Sequence, residues 1–162
     1  MPIILCVVLG TISGFIVAYH SKKYYNRLNF FLSFDDFLSE LGLNFGFLQD
    51  EIPKLIGKTY NSSHFNKIME SFKEFVKLND CNKLKTQIGE IALIKNEEKE
   101  KIFGFFYTLG RSDLETQRNL TRTFKLYIQD KIILSKQDVD KKGTLIQKLS
   151  VIAGMFVVIL LL

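Results

Sequence analysis

The residues of this sequence that could do chemistry are few and lie apart. Gly57-Lys58-Thr59 matches the last three positions of a phosphate-binding loop. The glycine that such a loop needs five residues earlier is replaced by Ile52, and the segment follows a predicted helix instead of a strand. The sequence motifs of serine hydrolases, zinc peptidases and dithiol oxidoreductases are absent. We therefore predict that the protein is not an enzyme and that it binds no cofactor.

Potential metal ligands are equally scattered along the sequence. Neighbouring acids such as Asp35-Asp36 point about 100° apart on a helix, so they do not converge on one ion. The two histidines, His20 and His64, are far apart and lack ligand spacing. We expect no metal site.

Charged side chains are confined to the middle of the chain. All 22 basic residues lie between Lys22 and Lys148, and all 17 acidic residues lie between Asp35 and Asp140. The two ends of the chain therefore carry no charged side chain, which excludes a simple soluble globule. The formal net charge of +5 does not indicate nucleic-acid binding, because the basic residues of the middle alternate with acids. A solvated helix face of mixed charge is the better interpretation, and the surplus, which lies mostly beside the predicted spans, suits topology and contact with anionic lipid.

The uncharged ends have the composition of membrane helices. About 18 apolar residues in a helix cross a ~30 Å hydrocarbon core. We predict a transmembrane helix over residues 1–21, a middle domain over 22–144 and a second transmembrane helix over 145–162. The second span is short and needs Lys148 to extend its side chain to the head groups. A re-entrant or interfacial tail is the alternative for this segment.

Basic residues beside the two spans predict the topology. They follow the first span and precede the second: Lys22, Lys23, Arg27, Lys136, Lys141, Lys142 and Lys148. Because positive charge favours the cytosolic side, the middle domain is predicted to be cytosolic and both termini to lie across the membrane. The N-terminal run ends without a small-x-small cleavage site, so we expect it to be retained. Cys6 and Cys81 then fall in different compartments, which excludes a disulfide between them.

Apolar residues recur every three or four positions through the middle domain, and strand-like alternation is nowhere sustained. The predicted fold class is all-α, a cytosolic helical bundle flanked by two transmembrane helices, with its long helices continuous with the spans. Capping residues and helix breakers locate the helices. We expect helices from the first span to Ile52, from Ser62 or Ser63 to about Asn79, from Asp80, from Asn96 as an N-cap to Leu109, and from Asp113 into the second span.

Each predicted helix has an apolar stripe that we expect to be buried. In helix order these stripes are Phe30, Phe34, Phe37, Leu38, Leu41, Phe45, Leu48 and Ile52; Phe65, Ile68, Met69, Phe72 and Val76; Leu84, Ile88, Ile91 and Ala92; Ile102, Phe103, Phe106 and Leu109; and Leu120, Phe124, Tyr127, Ile128, Ile132 and Val139. The 15 phenylalanines are interpreted as core residues. Gly110 ends the fourth helix, and Ser112 and Glu115 fit a capping box for the fifth.

Small residues are spaced by four in both predicted spans. Gly10 and Gly14 form such a pair in the first, and Ser150 and Gly154 form one in the second. Each pair leaves a flat strip on one helical face, which favours close helix packing within the chain or between copies in a homo-oligomer. The alternative is chance, because glycine is common in membrane helices.

The C-terminal third resembles a known family. Leu109-Gly110-Arg111-Ser112-Asp113 is followed by Gln117, then by Lys141-Lys142, and finally by a glycine and an apolar run that ends the chain. These features are similar to those of the stage III sporulation protein AB family. The length, the two end spans and the helical middle agree with the same family over the whole chain.

The resemblance implies a membrane-anchored assembly platform in endospore formation. Such a protein belongs to the channel between mother cell and forespore, lies in the mother-cell membrane with two spans, and holds a stage III AA-type ATPase against other channel subunits. The implied partners are therefore proteins and membrane lipid, with no nucleic acid. The cytosolic domain is expected to resemble the platform domain of type II secretion and type IV pilus machines.

The corner between the fourth and fifth helices is our candidate partner-binding site. Gly110, Asp113 and Gln117 lie there, with Asp113 and Gln117 one helical turn apart. A purely structural interpretation, a C-cap followed by an N-cap, is also open. A membrane-bound helical sensor or signalling adaptor is the alternative function, although the sequence offers no sensing element outside the spans.

Overall fold

The computed structural model describes the backbone of residues 2–43, 57–109, 111, 113–143, 145, 148 and 152, and most of their side chains from residue 22 onward. These residues form five α-helices and no strand, so the all-α prediction is confirmed. The helices are α1 (Pro2–Leu43), α2 (Ser63–Leu78), α3 (Asn82–Gly89), α4 (Asn96–Leu109) and α5 (Leu114–Asp138), followed by a π-helical turn, Val139–Gly143. The chain divides into two compact units: residues 29–132, and residues 1–28 with 133–162.

The core of residues 29–132 is built on α1. The predicted stripe of α1 is confirmed from Phe30 to Leu41, and Phe31 is also buried, so the apolar face is wider than a single row. Phe45, Leu48 and Ile52 lie outside the described residues. Phe34 is at the centre of the core, where its ring centroid lies 5.0–6.3 Å from those of Phe30, Phe37, Phe65, Phe105, Phe106 and Phe124.

Helix α2 begins and ends as predicted. The Ser62 hydroxyl accepts from the Phe65 amide at 3.4 Å, and Asn79 closes the other end in the left-handed conformation, with φ 56°. The prediction for Val76 was wrong, because that side chain is 48% exposed and Phe75 is buried in its place. Both positions are compatible with helical spacing from Phe72, and the larger ring removes more apolar area from water.

Helix α3 is shorter than predicted. It begins at Asn82, because the Asp80 carboxylate accepts from the Asn82 amide at 2.9 Å and holds a turn there. Leu84 and Ile88 are buried as expected. Ala92 is exposed, because α3 ends at Gly89 and helical spacing no longer applies beyond it. Ile91 follows the helix end and is nevertheless buried.

Helix α4 begins at Asn96 itself instead of being capped by it. The Glu98 carboxylate accepts from the Lys95 amide at 2.8 Å, which satisfies one of the free amides of the first turn. Ile102, Phe106 and Leu109 are buried as predicted. Phe103 is only half-buried, whereas Phe105 is buried and stacks on Phe124 with a centroid distance of 4.4 Å.

Helix α5 is capped by Asp113, whose carboxylate accepts from the Thr116 amide at 3.2 Å. The predicted partner in a capping box, Ser112, lies outside the described residues. Along the predicted stripe, four residues are buried and two, Leu120 and Tyr127, are half-buried. The buried members are Phe124, Ile128, Ile132 and Val139. The regular helix ends at Asp138 with the π-helical turn.

The predicted transmembrane helices fall largely on residues whose side chains are not described. Residues 2–21 form the first half of α1, and residues 145–162 lie almost wholly outside the described part of the chain. Where the structure describes the chain, none of the helices is both long and apolar enough to cross a membrane. The two spans and the domain boundaries stay predictions.

Candidate functional site

The corner between α4 and α5 contains the predicted partner-binding residues. Gly110 lies outside the described residues. The Arg111 amide donates to the Thr108 carbonyl at 3.0 Å, which continues α4 into a tight turn. The Gln117 amide donates to the Asp113 carbonyl at 3.0 Å, so Asp113 and Gln117 belong to the first turn of α5. The structure thus brings these two predicted residues together.

The Asp113 side chain already has a structural role. It accepts hydrogen bonds from the Thr116 hydroxyl and amide, and these bonds lower the pKa of the Asp113 carboxyl below its usual value. An ionised carboxylate at this position also matches the positive end of the helix dipole. Asp113 is exposed, so its outer side faces solvent.

Only one of the two predicted small-residue pairs falls on described residues. Gly10 and Gly14 are both within α1. Ser150 and Gly154 lie outside the described residues. The role of either pair in helix packing stays a prediction.

The segment with the partial phosphate-loop motif is not arranged as a phosphate loop. Gly57, Lys58 and Thr59 precede α2 in a non-helical stretch, and α2 begins four residues later, at Ser63. A phosphate loop instead leads directly into a helix whose first amides face the phosphate. The Lys58 ammonium is ion-paired with the Glu40 carboxylate and lies 5.9 Å from the centre of the Tyr60 ring.

A cleft of about 370 Å³ adjoins Lys58. It is lined by Asp36, Ser39, Glu40, Lys58, Thr59, Tyr60 and Asn61. Burial, together with the Glu40 and Asp36 carboxylates, raises the pKa of the Tyr60 phenol, so this group stays protonated. The Lys125 ammonium donates to the Ser39 hydroxyl at 2.9 Å. The cleft therefore offers hydrogen bonding, with its phenol held neutral and its lysine paired.

The outer face of α4 continues into the corner as a row of cationic and aromatic side chains. We call Lys99, Phe103, Tyr107 and Arg111 the α4 row; its members are spaced by four residues. The Phe103 and Tyr107 ring centroids are 5.9 Å apart, and the Arg111 guanidinium lies 4.3 Å from the centre of the Tyr107 ring. From α3, the Lys85 ammonium lies 5.9 Å from the centre of the Phe103 ring.

Arg111 is held in place by three other side chains. It donates to the Asn79 side-chain oxygen at 2.7 Å and to the Tyr107 hydroxyl. Its guanidinium also lies 5.5 Å from the centre of the Phe75 ring, which is in turn stacked near Tyr107. The left-handed Asn79 therefore both ends α2 and positions an arginine that is 32 residues away in the sequence.

A shallow groove of about 210 Å³ lies at the start of the α4 row. Its walls are Lys85, Ile88, Gly89, Asn96, Lys99, Glu100 and Phe103. The Lys99 ammonium donates to the Gly89 carbonyl at 2.6 Å and so connects the two helices. This surface was not predicted, because Phe103 was assigned to the core; two rings flanked by two cations at four-residue spacing were the available signal.

Metal-ligating side chains do not converge in the described residues, where no group of three or more histidines, cysteines or acids could hold an ion.

Comparison with known proteins gives one match. The family model described as stage III sporulation protein AB matches residues 2–162. No curated protein matches, and no solved structure matches.

Proposed function

Because the chain belongs to the stage III sporulation protein AB family and therefore has a role in sporulation, we propose that it is a membrane-anchored assembly platform. In this proposal it holds a partner ATPase, of the stage III AA type, against the other subunits of the channel between mother cell and forespore. The observation that carries the proposal is the family match over residues 2–162, which includes both uncharged ends and the helical middle. The helical bundle supports it by presenting charged and aromatic surfaces around a phenylalanine core.

The proposed location is the mother-cell membrane, with two spans and a cytosolic middle domain. The support is the sequence: two uncharged ends, each flanked by basic residues on the side of the middle domain. A membrane-impermeant thiol reagent should label a cysteine added before Met1 in intact cells. It should spare a cysteine at position 67, which is exposed in α2, until the cells are permeabilised. Labelling at position 67 in intact cells would contradict the cytosolic assignment.

Docking of the ATPase is the central step of the proposal. The full chain, purified in mild detergent, should bind the stage III AA-type ATPase encoded in the same genome, and the complex should be recovered by co-purification. If the predicted corner contributes, Gln117→Ala should weaken recovery while the melting temperature of the chain moves by about two degrees at most. Asp113→Asn keeps an acceptor for the helix cap, so it removes the charge of Asp113 without removing the cap, and it is compared with Gln117→Ala. Unchanged recovery with both variants would leave the corner a structural element.

We also infer that the protein has no catalytic activity of its own. Sequence analysis finds no catalytic motif, and the Lys58 ammonium is engaged by Glu40. The purified chain should neither bind nor hydrolyse ATP. Saturable ATP binding that disappears in Lys58→Ala would contradict this inference and would revive the partial phosphate-loop motif.

A further inference from the structure

We propose that the α4 row, with the groove at its start, docks an acidic protein segment that carries an apolar side chain between its carboxylates. This inference rests on the proposed platform function and identifies the surface through which the partner ATPase would be held. It differs from the Asp113–Gln117 corner, because the row is basic and aromatic whereas Asp113 is an acid already used as a cap.

Three cations of this surface lack an ion-pair partner among the described residues. Four lysines elsewhere in the described residues form ion pairs with acids: Lys58 with Glu40, Lys83 with Glu74, Lys101 with Glu97 and Lys131 with Glu98. Like several other basic side chains among those residues, Lys85, Lys99 and Arg111 have no carboxylate within ion-pair distance; they are distinguished by their contacts with rings, a carbonyl and an amide oxygen. Glu100 is the acid that lines the groove. Carboxylates of a partner would complement the remaining positive charge.

Arg111 has a fixed geometry. Two of the five N–H donors of its guanidinium are used, by Asn79 and Tyr107, which leaves three for a partner. A free arginine loses side-chain entropy when it is immobilised on binding, but the contacts of Arg111 with Tyr107 and Phe75 already restrict it. A planar guanidinium held in this way suits a carboxylate, which can accept two parallel hydrogen bonds.

The surface also has an apolar component. Tyr107 is 37% exposed, and Phe103 is half-buried between Lys85 and Tyr107. Leu78, the residue before Asn79, is 74% exposed. Tyrosine and arginine are the residue types that most often dominate the binding energy of protein interfaces. From Lys99 to Tyr107 the row covers about 12 Å of helix, enough for two turns of a partner helix.

A protein partner fits these features better than a membrane surface. Anionic lipids attract clusters of basic residues through charge alone and need no fixed orientation of the side chains. Here two rings lie between the cations of the row, and its one arginine is positioned by directional hydrogen bonds that it donates to Asn79 and Tyr107. Such positioning is useful for a partner whose carboxylates have fixed places.

The test measures the affinity of the full chain, in mild detergent, for the purified stage III AA-type ATPase. Arg111→Glu should weaken binding at least tenfold, because it places a carboxylate against the partner's acids. Arg111→Lys keeps the charge but loses the stacked plane, so it should weaken binding less, about threefold. Lys67→Glu makes the same change of charge at an exposed position of α2 and should leave the affinity within twofold of the original chain.

Asn79→Gly tests the positioning of Arg111. Glycine adopts the left-handed conformation readily, so the end of α2 is retained while the acceptor for Arg111 is lost. We expect about threefold weaker binding with an unchanged melting temperature. Binding of the original chain should also decrease as salt is raised from low to physiological ionic strength, because the contact is between exposed charges.

The outcomes separate this inference from the proposed function. If the original chain binds the ATPase and Arg111→Glu binds equally well, the α4 row is not the docking surface and the platform function stands. If the original chain does not bind the ATPase, the platform proposal and this inference both fail. If Arg111→Glu loses binding to vesicles of anionic lipid but keeps the ATPase, the row is a lipid-binding surface and the inference is wrong.

Discussion

Two regions of residues 29–132 use aromatic side chains in opposite ways. Around Phe34 the rings contact one another, as in the parallel stack of Phe34 on Phe106 with an interplanar angle of 9°. Along the α4 row the rings contact cations, with Arg111 over Tyr107 and Lys85 over Phe103. The first arrangement excludes water, and the second keeps an apolar face beside solvated charge.

The difference shows that the neighbours of a ring determine its role more than its presence in a helical stripe does. Phe105 and Phe103 are two residues apart on α4, yet the first stacks on Phe124 in the core and the second lies under Lys85 at the surface. Rings packed on rings stabilise the fold because they remove apolar surface area from water. Rings packed on exposed cations contribute little to folding, about 0.5–1 kcal/mol for each contact, and remain accessible to a partner.

The largest effect should come from the centre of the ring cluster. Phe34→Ala removes a fully buried ring that contacts six others, so the free energy of unfolding should decrease by about 3–5 kcal/mol. Urea unfolding of the full chain in mild detergent, followed by circular dichroism, measures this change. A loss below about 1 kcal/mol would mean that the cluster is not the core of this region.

The next effect concerns a buried charge. Glu98 is 1% exposed, accepts from the Lys95 amide and lies 3.3 Å from the Lys131 ammonium. Glu98→Ala leaves the Lys95 amide and the Lys131 ammonium without this partner. The free energy of unfolding should decrease by about 2–3 kcal/mol. Glu97→Ala is the matched control, because Glu97 is an exposed acid that pairs with Lys101 across one turn and should matter little. Equal losses for the two variants in urea unfolding would contradict the distinction between buried and exposed pairs.

A smaller effect is expected in the α4 row. Tyr107→Ala removes a ring that is 37% exposed, together with its contacts to Phe75 and Arg111. The free energy of unfolding should decrease by about 1 kcal/mol. The same urea experiment compares it directly with Phe34→Ala. If the two variants were equally destabilised, the row would be part of the core and the proposed contrast between the regions would be wrong.

The smallest effect should appear at acidic pH. Hydrogen bonds from Thr116 lower the pKa of Asp113 in the folded chain, so folding favours the ionised carboxylate. Its contribution to stability is complete above the usual pKa of about 3.9 and is lost as the pH falls through the lower folded value. Asp113→Asn should therefore reduce the dependence of the urea midpoint on pH below about 4. An identical pH profile for the two chains would show that Asp113 does not stabilise the corner electrostatically.

Much of the fold followed from apolar spacing and capping residues. The α1 stripe, both ends of α2 and the buried residues Leu84 and Ile88 were predicted because each depends on residues close in the sequence. Val76 and Phe103 were assigned wrongly for a common reason. Helical spacing leaves the edges of a stripe undetermined, and only the neighbouring helices determine which edge position is buried.

The candidate site was less accessible to sequence analysis. The Asp113–Gln117 turn was found because it lies within a few consecutive residues. The α4 row was missed because two of its contacts involve other parts of the sequence. Asn79, at the end of α2, positions Arg111, and Lys85, on α3, covers Phe103. Contacts between residues so distant in the sequence have no periodic signature, so composition and spacing alone could not have revealed them.

The position of Phe34 also has a consequence for the time at which this protein can fold. Its ring lies 5.4 Å from that of Phe124, which is 90 residues later in the sequence. A ribosome that adds about 5–20 residues per second needs roughly 5–18 seconds to make that stretch. During this interval the phenylalanines of α1 have already been made, but the last helix that covers them has not. The nascent chain therefore depends on prompt completion, or on a chaperone, to avoid aggregation.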